Sequence, residues 1–98
     1  MTVEIKGVHN YHVSDRTKEY LDKKMNRIAT FEDLIQDLHV SLSKETNGEY
    51  TVTSDIHYRW GTMAHVAVSD RDFYKAIDVC FDKIDAKTSK EKEKIKEH

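Results

Sequence analysis

Three sets of side chains in this 98-residue sequence are of types that do chemistry. In the stretch SDRDFYKAID, Asp70 and Asp72 stand just before Tyr74, as a paired acid and base would. A general acid needs its pKa raised by burial or a like charge. Carboxylates at a helix start meet free backbone amides and the positive end of the helix dipole, which lower it. The pair therefore reads as the cap and first turn of a helix. The second set is His39, His57 and His65, each out of phase with the apolar residues of its own strand and so directed to one shared face. Three imidazoles there would suit zinc or copper. No HExxH or CxxC spacing accompanies them, so surface histidines are the expectation, with a metal site as the lesser alternative. The third is Cys80, which shares a helical stripe with Ile77, Phe81 and Ile84 and reads as a small packed hydrophobe. Glycine-rich phosphate loops are absent. This inventory points to no enzyme, no cofactor and no small-molecule substrate.

The basic side chains point to a different chemistry. Lys23, Lys24 and Arg27 form one group, and Lys83, Lys87, Lys90 and Lys94 form another whose spacing of four, three and four puts it on one side of a helix. The net charge of −2 conceals this polarity. Residues 16–30 carry five Lys/Arg against two Asp/Glu, giving +3; residues 83–98 carry six against four, giving +2; residues 31–55 carry one against six, giving −5. If the two basic segments lie side by side, they make one face able to meet phosphates. Tyr50, Tyr58 and Trp60 would stack bases if exposed. The tyrosines share phase with Val52 and Ile56, which favours the core, while Trp60 sits at a break and is expected to be partly exposed.

The elements that must position these residues follow from periodicity. VEIKGVH alternates as a short strand. Ser14 can cap a helix over residues 15–30, with Leu21, Met25 and Ile28 as its apolar stripe. Leu38, Val40 and Leu42 alternate with polar residues, and Asn47-Gly48 marks a hairpin leading to a strand over residues 50–58. After Trp60-Gly61-Thr62, Ala64, Val66 and Val68 make a fourth strand. A last helix starts at Ser69 or Asp70, its face built from Phe73, Ala76, Ile77, Cys80, Phe81 and Ile84. The reading is an α+β fold of order β-α-β-β-β-α, a four-stranded mixed sheet with two helices on one face, resembling double-stranded RNA-binding domains. Residues 1–98 form one domain, in which residues 86–98 are a lysine-rich helix extension or frayed tail. No apolar run approaches the ~20 residues of a membrane span. The lone cysteine favours a reducing, cytoplasmic setting.

Asp72-Phe73-Tyr74-Lys75-Ala76-Ile77-Asp78 followed by Asp82-Lys83-Ile84, with Leu42-Ser43-Lys44-Glu45 ending the second strand, resembles the ribosome hibernation-promoting factors and ribosome-associated inhibitors, also called sigma-factor modulation proteins. The resemblance covers nearly the whole chain, which looks like a short form of the family or the N-terminal domain of a longer member. It implies a stress-response protein that occupies the decoding region of the small ribosomal subunit, where messenger and transfer RNA would otherwise bind. The family's rRNA-contact positions match Lys24, Arg27, Lys83, Lys87 and Lys90; Ala86 stands where relatives often carry a basic residue. The competing readings are a general double-stranded RNA-binding domain and a structural subunit that oligomerises through its open sheet face.

Overall fold

The computed structural model describes residues 1–9 and 11–96. The element order is β1 (Thr2–Gly7), α1 (Asp15–Ile28), a 3-10 turn (Ala29–Phe31), β2 (Ile35–Lys44), β3 (Tyr50–Tyr58), β4 (Met63–Asp70) and α2 (Phe73–Lys96). It matches the order expected from periodicity. The sheet runs β1-β2-β3-β4, with β1 parallel to β2 and the other neighbours antiparallel. A parallel pair cannot be joined by a tight turn, and α1 supplies the crossover.

Register converts the alternation into a core. Ile5 lies beside Val40, Leu42 beside Val52 and Val52 beside Val68, so the apolar residues of successive strands share one face. Leu38, Val40, Leu42, Val52, Ile56, Tyr58 and Val66 from the sheet meet Leu21 and Ile28 of α1 and Ala76, Ile77, Cys80, Phe81 and Ile84 of α2, all buried. Both helices therefore cover one face of the sheet, and its other face stays open and polar. One member of the core face breaks the pattern. Ser54 sits between Val40 and Val66, and its buried hydroxyl has no hydrogen-bond partner among the described residues. Removing an unsatisfied buried hydroxyl relieves a desolvation cost, so Ser54→Ala is expected to raise stability by about 1 kcal/mol. In thermal unfolding that is a Tm gain of roughly 4–8 °C; a fall in Tm would contradict it.

The first helix and the hairpin are placed as read, with one adjustment at the end of α1. The Ser14 hydroxyl accepts from the Thr17 N–H at 3.2 Å and caps α1, which ends at Ile28 and tightens into the 3-10 turn where a helix to residue 30 was expected. At the hairpin Gly48 takes φ +87°, a conformation open to glycine, and the Asn47 side-chain oxygen accepts from the Glu49 N–H at 2.9 Å.

The start of α2 corrects the sequence reading. Ser69 and Asp70 belong to β4, where they pair with Thr51 and Tyr50, because the ladder satisfies their backbone before a helix can. The helix begins at Phe73. The Asp70 carboxylate accepts from the Asp72 N–H at 2.8 Å, and the Asp72 carboxylate accepts from the Lys75 N–H at 3.3 Å. Asp72 is thus the cap, Asp70 fastens the strand-to-helix turn, and neither lies in the first turn. At the other end the buried stripe continues past Ile84 to Thr88, whose hydroxyl bonds that of Tyr58 at 3.0 Å. Regular helix persists to Lys96; residues 97 and 98 of the expected extension lie outside the described residues. At ~1.5 Å per residue α2 is about 36 Å long, and the molecule's greatest extent is 46 Å.

Candidate nucleic-acid interface

With about 100° between successive residues, the exposed side chains of α2 divide into two flanks on either side of its buried stripe. Asp78, Asp82 and Asp85 form one flank and face α1; Lys83, Lys87, Lys90 and Lys94 form the other, toward β4. Sequence spacing displays both sets, but only packing shows which one meets α1.

The acidic flank captures two of the expected phosphate ligands. Lys24 Nζ lies 2.8 Å from Asp78 Oδ1, Arg27 Nη1 lies 2.7 Å from Asp82, and Arg27 Nε lies 3.0 Å from Asp85. Hydrogen bonds to Asp82 first, and then to Asp85, raise the Arg27 guanidinium above its already high value. Exposed pairs of this kind contribute little to stability, yet they occupy the cations. Tyr20 also donates its hydroxyl to Asp78. That hydrogen bond, with partial burial, pushes the phenol up to about 12. Partial burial alone would lift the Asp78 carboxyl, but the hydrogen bonds from Lys24 and Tyr20 outweigh it and hold it below the ordinary carboxylate range. A lowered native pKa stabilises the fold above the unfolded value of ~3.9, and this is lost as pH falls through the native one. Asp78→Asn is therefore expected to cost roughly 1 kcal/mol near neutral pH. In urea titrations the deficit should shrink below pH ~4; one that persisted undiminished would show that the charge is not what matters.

The lysine flank is different. Lys83, Lys87 and Lys90 have no carboxylate within 4.0 Å among the described residues, and Lys94 is 3.4 Å from Glu91 in a loose i,i+3 pair. From Lys83 to Lys94 the row spans about 16 Å along the helix. Lys87, Lys90 and Lys94, with Glu91 beside them and Met63, Ala64 and His65 of β4, line a shallow cleft of about 380 Å³. Such a row of long, mobile cations suits a run of backbone phosphates.

Lys23 lies elsewhere, on the side of α1 that meets the start of α2. It shares a second cleft with Arg16, Glu19, Tyr20 and Tyr74. The expected single basic face is therefore two basic patches separated by an ion-paired seam. Arg16 was not singled out from sequence, although its seven-residue spacing to Lys23 places both on one side of α1.

The three histidines do point to the open face of the sheet, and each has its own carboxylate. The Nδ1 atoms of His39, His57 and His65 lie 3.4 Å from Glu4, 3.5 Å from Asp37 and 2.6 Å from Asp55, respectively. They form three cross-strand pairs, and no cluster of three metal ligands occurs among the described residues. Cys80 is buried, and burial pushes its thiol up to about 12, far from a reactive thiolate. Trp60 is 38% exposed, and its ring stacks at 5.0 Å on that of buried Tyr58. Among the described residues no helix is long and apolar enough to cross a membrane.

Comparison with known proteins gives a consistent result. Residues 3–96 match the family described as sigma 54 modulation protein / S30EA ribosomal protein. The chain is 30% identical over 100 aligned residues to the ribosome hibernation promoting factor of Escherichia coli K12, covering all of both chains. It is 30% identical over 94 residues to that of Azotobacter vinelandii, covering 96% of this chain and 85% of the other. A ribosomal subunit interface protein from Coxiella burnetii superposes with a TM-score of 0.82 at 23% identity, covering 94% of this chain and 98% of the other. The N-terminal domain of Thermus thermophilus Protein Y gives 0.77 at 23% identity, covering 92% and 98%.

Proposed function

The chain belongs to the sigma 54 modulation protein / S30EA ribosomal protein family, and on that premise we propose that it is a ribosome-associated hibernation factor. It acts in the cytoplasm, binding rRNA of the small subunit in the decoding region and excluding messenger and transfer RNA while the cell is under stress. Inhibition is by occupancy: the domain fills a channel, and no bond is made or broken. The observation that carries this reading is the row Lys83, Lys87, Lys90 and Lys94, aligned along one flank of a rigid helix, of which the first three have no carboxylate within 4.0 Å among the described residues. Lys23 adds a further contact from α1. Lys24 and Arg27 hold α1 to α2 and approach phosphate only at the expense of their acidic partners.

Docking as a duplex-RNA domain is disfavoured by the start of α2. A phosphate there would seek free amides and a positive helix end, but the Asp72 carboxylate already accepts from the Lys75 amide and Asp70 adds a second negative charge. The test is sucrose-gradient co-sedimentation with ribosomes over a salt series. Five phosphate contacts give a slope of log affinity against log salt of about −3.5 to −4.5. Equal binding to a free RNA duplex, or a flat salt response, would overturn the reading.

A further inference from the structure

The cleft beside Lys23 lies apart from the lysine row and is built differently. It holds about 330 Å³ between the first half of α1 and the start of α2, near the lower limit for small-molecule sites. Its aromatic wall is the edge-to-face pair Tyr20 and Tyr74, with ring centroids 4.6 Å apart and planes at 74°. Tyr20 is fixed in place: its hydroxyl is given to Asp78 and Lys24 Nζ lies 5.4 Å from its ring centre. The Tyr20 ring is therefore held before any ligand arrives, and Tyr74 packs against it. Arg16 and Lys23 stand about 10 Å apart along one side of α1; both are exposed, and neither has a carboxylate within 4.0 Å among the described residues. Glu19 lies between them in sequence and lines the same cleft.

A π surface beside two cations matches a ligand that carries both an aromatic ring and a negative charge, as a nucleotide does. We propose that this cleft binds one unstacked nucleotide, with its base on the Tyr74 ring and its phosphate between Arg16 and Lys23. Glu19 sets the base. A carboxylate accepts two adjacent N–H donors at once, and guanine offers them on its Watson–Crick edge through N1–H and the N2 amino group, so guanine is preferred. The ligand is a free guanine nucleotide or a guanine in a single-stranded RNA; both present the same chemistry.

The inference adds to the ribosomal reading without requiring it, because it is tested on the isolated protein. Titration with GMP, guanosine, AMP and the pentamers UUGUU and UUUUU, followed by amide chemical shifts in NMR, separates the parts. GMP is expected to shift the amides around Arg16–Lys23 and Tyr74 and to bind more tightly than guanosine or AMP. Tyr74→Ala should weaken GMP by roughly 5- to 150-fold. Arg16→Gln should remove the advantage of GMP over guanosine, and Glu19→Gln the advantage of GMP over AMP. Tighter binding of UUGUU than of GMP assigns the site to an RNA strand, and the reverse assigns it to a free nucleotide. No perturbation of these amides by millimolar GMP or by UUGUU, or equal affinity for GMP and AMP, overturns the proposal. So does a Tyr74→Ala protein that stays folded and binds GMP as the wild type does. Ribosome co-sedimentation that survives such a failure would leave the proposed function standing.

Discussion

Reversing two charges, Lys83→Glu with Lys87→Glu, is expected to lower affinity for ribosomal particles on the order of 10²-fold or more at physiological salt. Each phosphate contact removed takes about 0.7–0.9 from the salt slope, so loss of two should flatten it by roughly 1.5. Placing carboxylates where phosphates would sit then adds repulsion. Both residues are exposed and make no ion pair among the described residues, so the fold does not depend on them. An unchanged Tm is the internal control. Lys6→Glu is the spatial control: Lys6 is exposed on β1, out of phase with Ile5 and beside Ser41, on the open side of the sheet. It reverses one charge where the double variant reverses two, and should leave sedimentation nearly intact, against the roughly tenfold loss expected of either lysine of the row reversed alone. A double variant that sediments with ribosomes as strongly as wild type would remove the lysine row from the mechanism.

Periodicity conveyed more of this molecule than charge did. The alternation of Leu38, Val40 and Leu42, and of Val52, Ile56 and Tyr58, reported a half-buried sheet directly, because side-chain direction in a strand repeats every two residues. The same rule placed His39, His57 and His65 on the open face; their carboxylate partners came from other strands, and so depended on register. The helix start was misread by a few residues, because Ser69 and Asp70 carry cap chemistry and only the ladder to Thr51 and Tyr50 shows them to be strand. The fate of Lys24 and Arg27 was harder to see. Their partners Asp78, Asp82 and Asp85 lie more than fifty positions away, and a charged residue on a helix wheel does not reveal what the next helix brings to it. A signal did exist: acids at 78, 82 and 85 and lysines at 83, 87, 90 and 94 are two stripes on opposite flanks of one helix. Such a helix can give one flank to a basic neighbour and keep the other for a partner.

Gly7→Ala is expected to be among the most damaging of small substitutions, although nothing in the surrounding sequence marks the position. An added Cβ would stand 1.9 Å from the Tyr11 carbonyl oxygen and 3.0 Å from its carbon. Neither atom belongs to a flexible side chain, so backbone must move by about 1.5 Å to bring the 1.9 Å approach out to an ordinary contact of 3.4 Å. Neither side of the contact yields easily. Gly7 is the last residue of β1 and pairs with Leu42, and the next residue, Val8, donates to the Leu42 carbonyl at 2.9 Å while its own carbonyl accepts from Tyr11 at 3.1 Å. The Tyr11 ring packs edge-on against Phe73 at 5.4 Å and Tyr50 at 6.3 Å, tying this loop to the start of α2 and to the hairpin strand β3. Moving Tyr11 opens that aromatic cluster, and moving Gly7 pulls on the end of the one parallel pairing in the sheet. Overpacking of this kind costs about 2–3 kcal/mol, which in a domain this size lowers Tm by roughly 10–20 °C. Differential scanning calorimetry decides it: a variant melting within 2 °C or so of wild type would mean that the loop after β1 relaxes freely. The deficit should appear as a loss of folded protein and leave the salt slope of the folded fraction unchanged, since neither basic patch contacts Gly7.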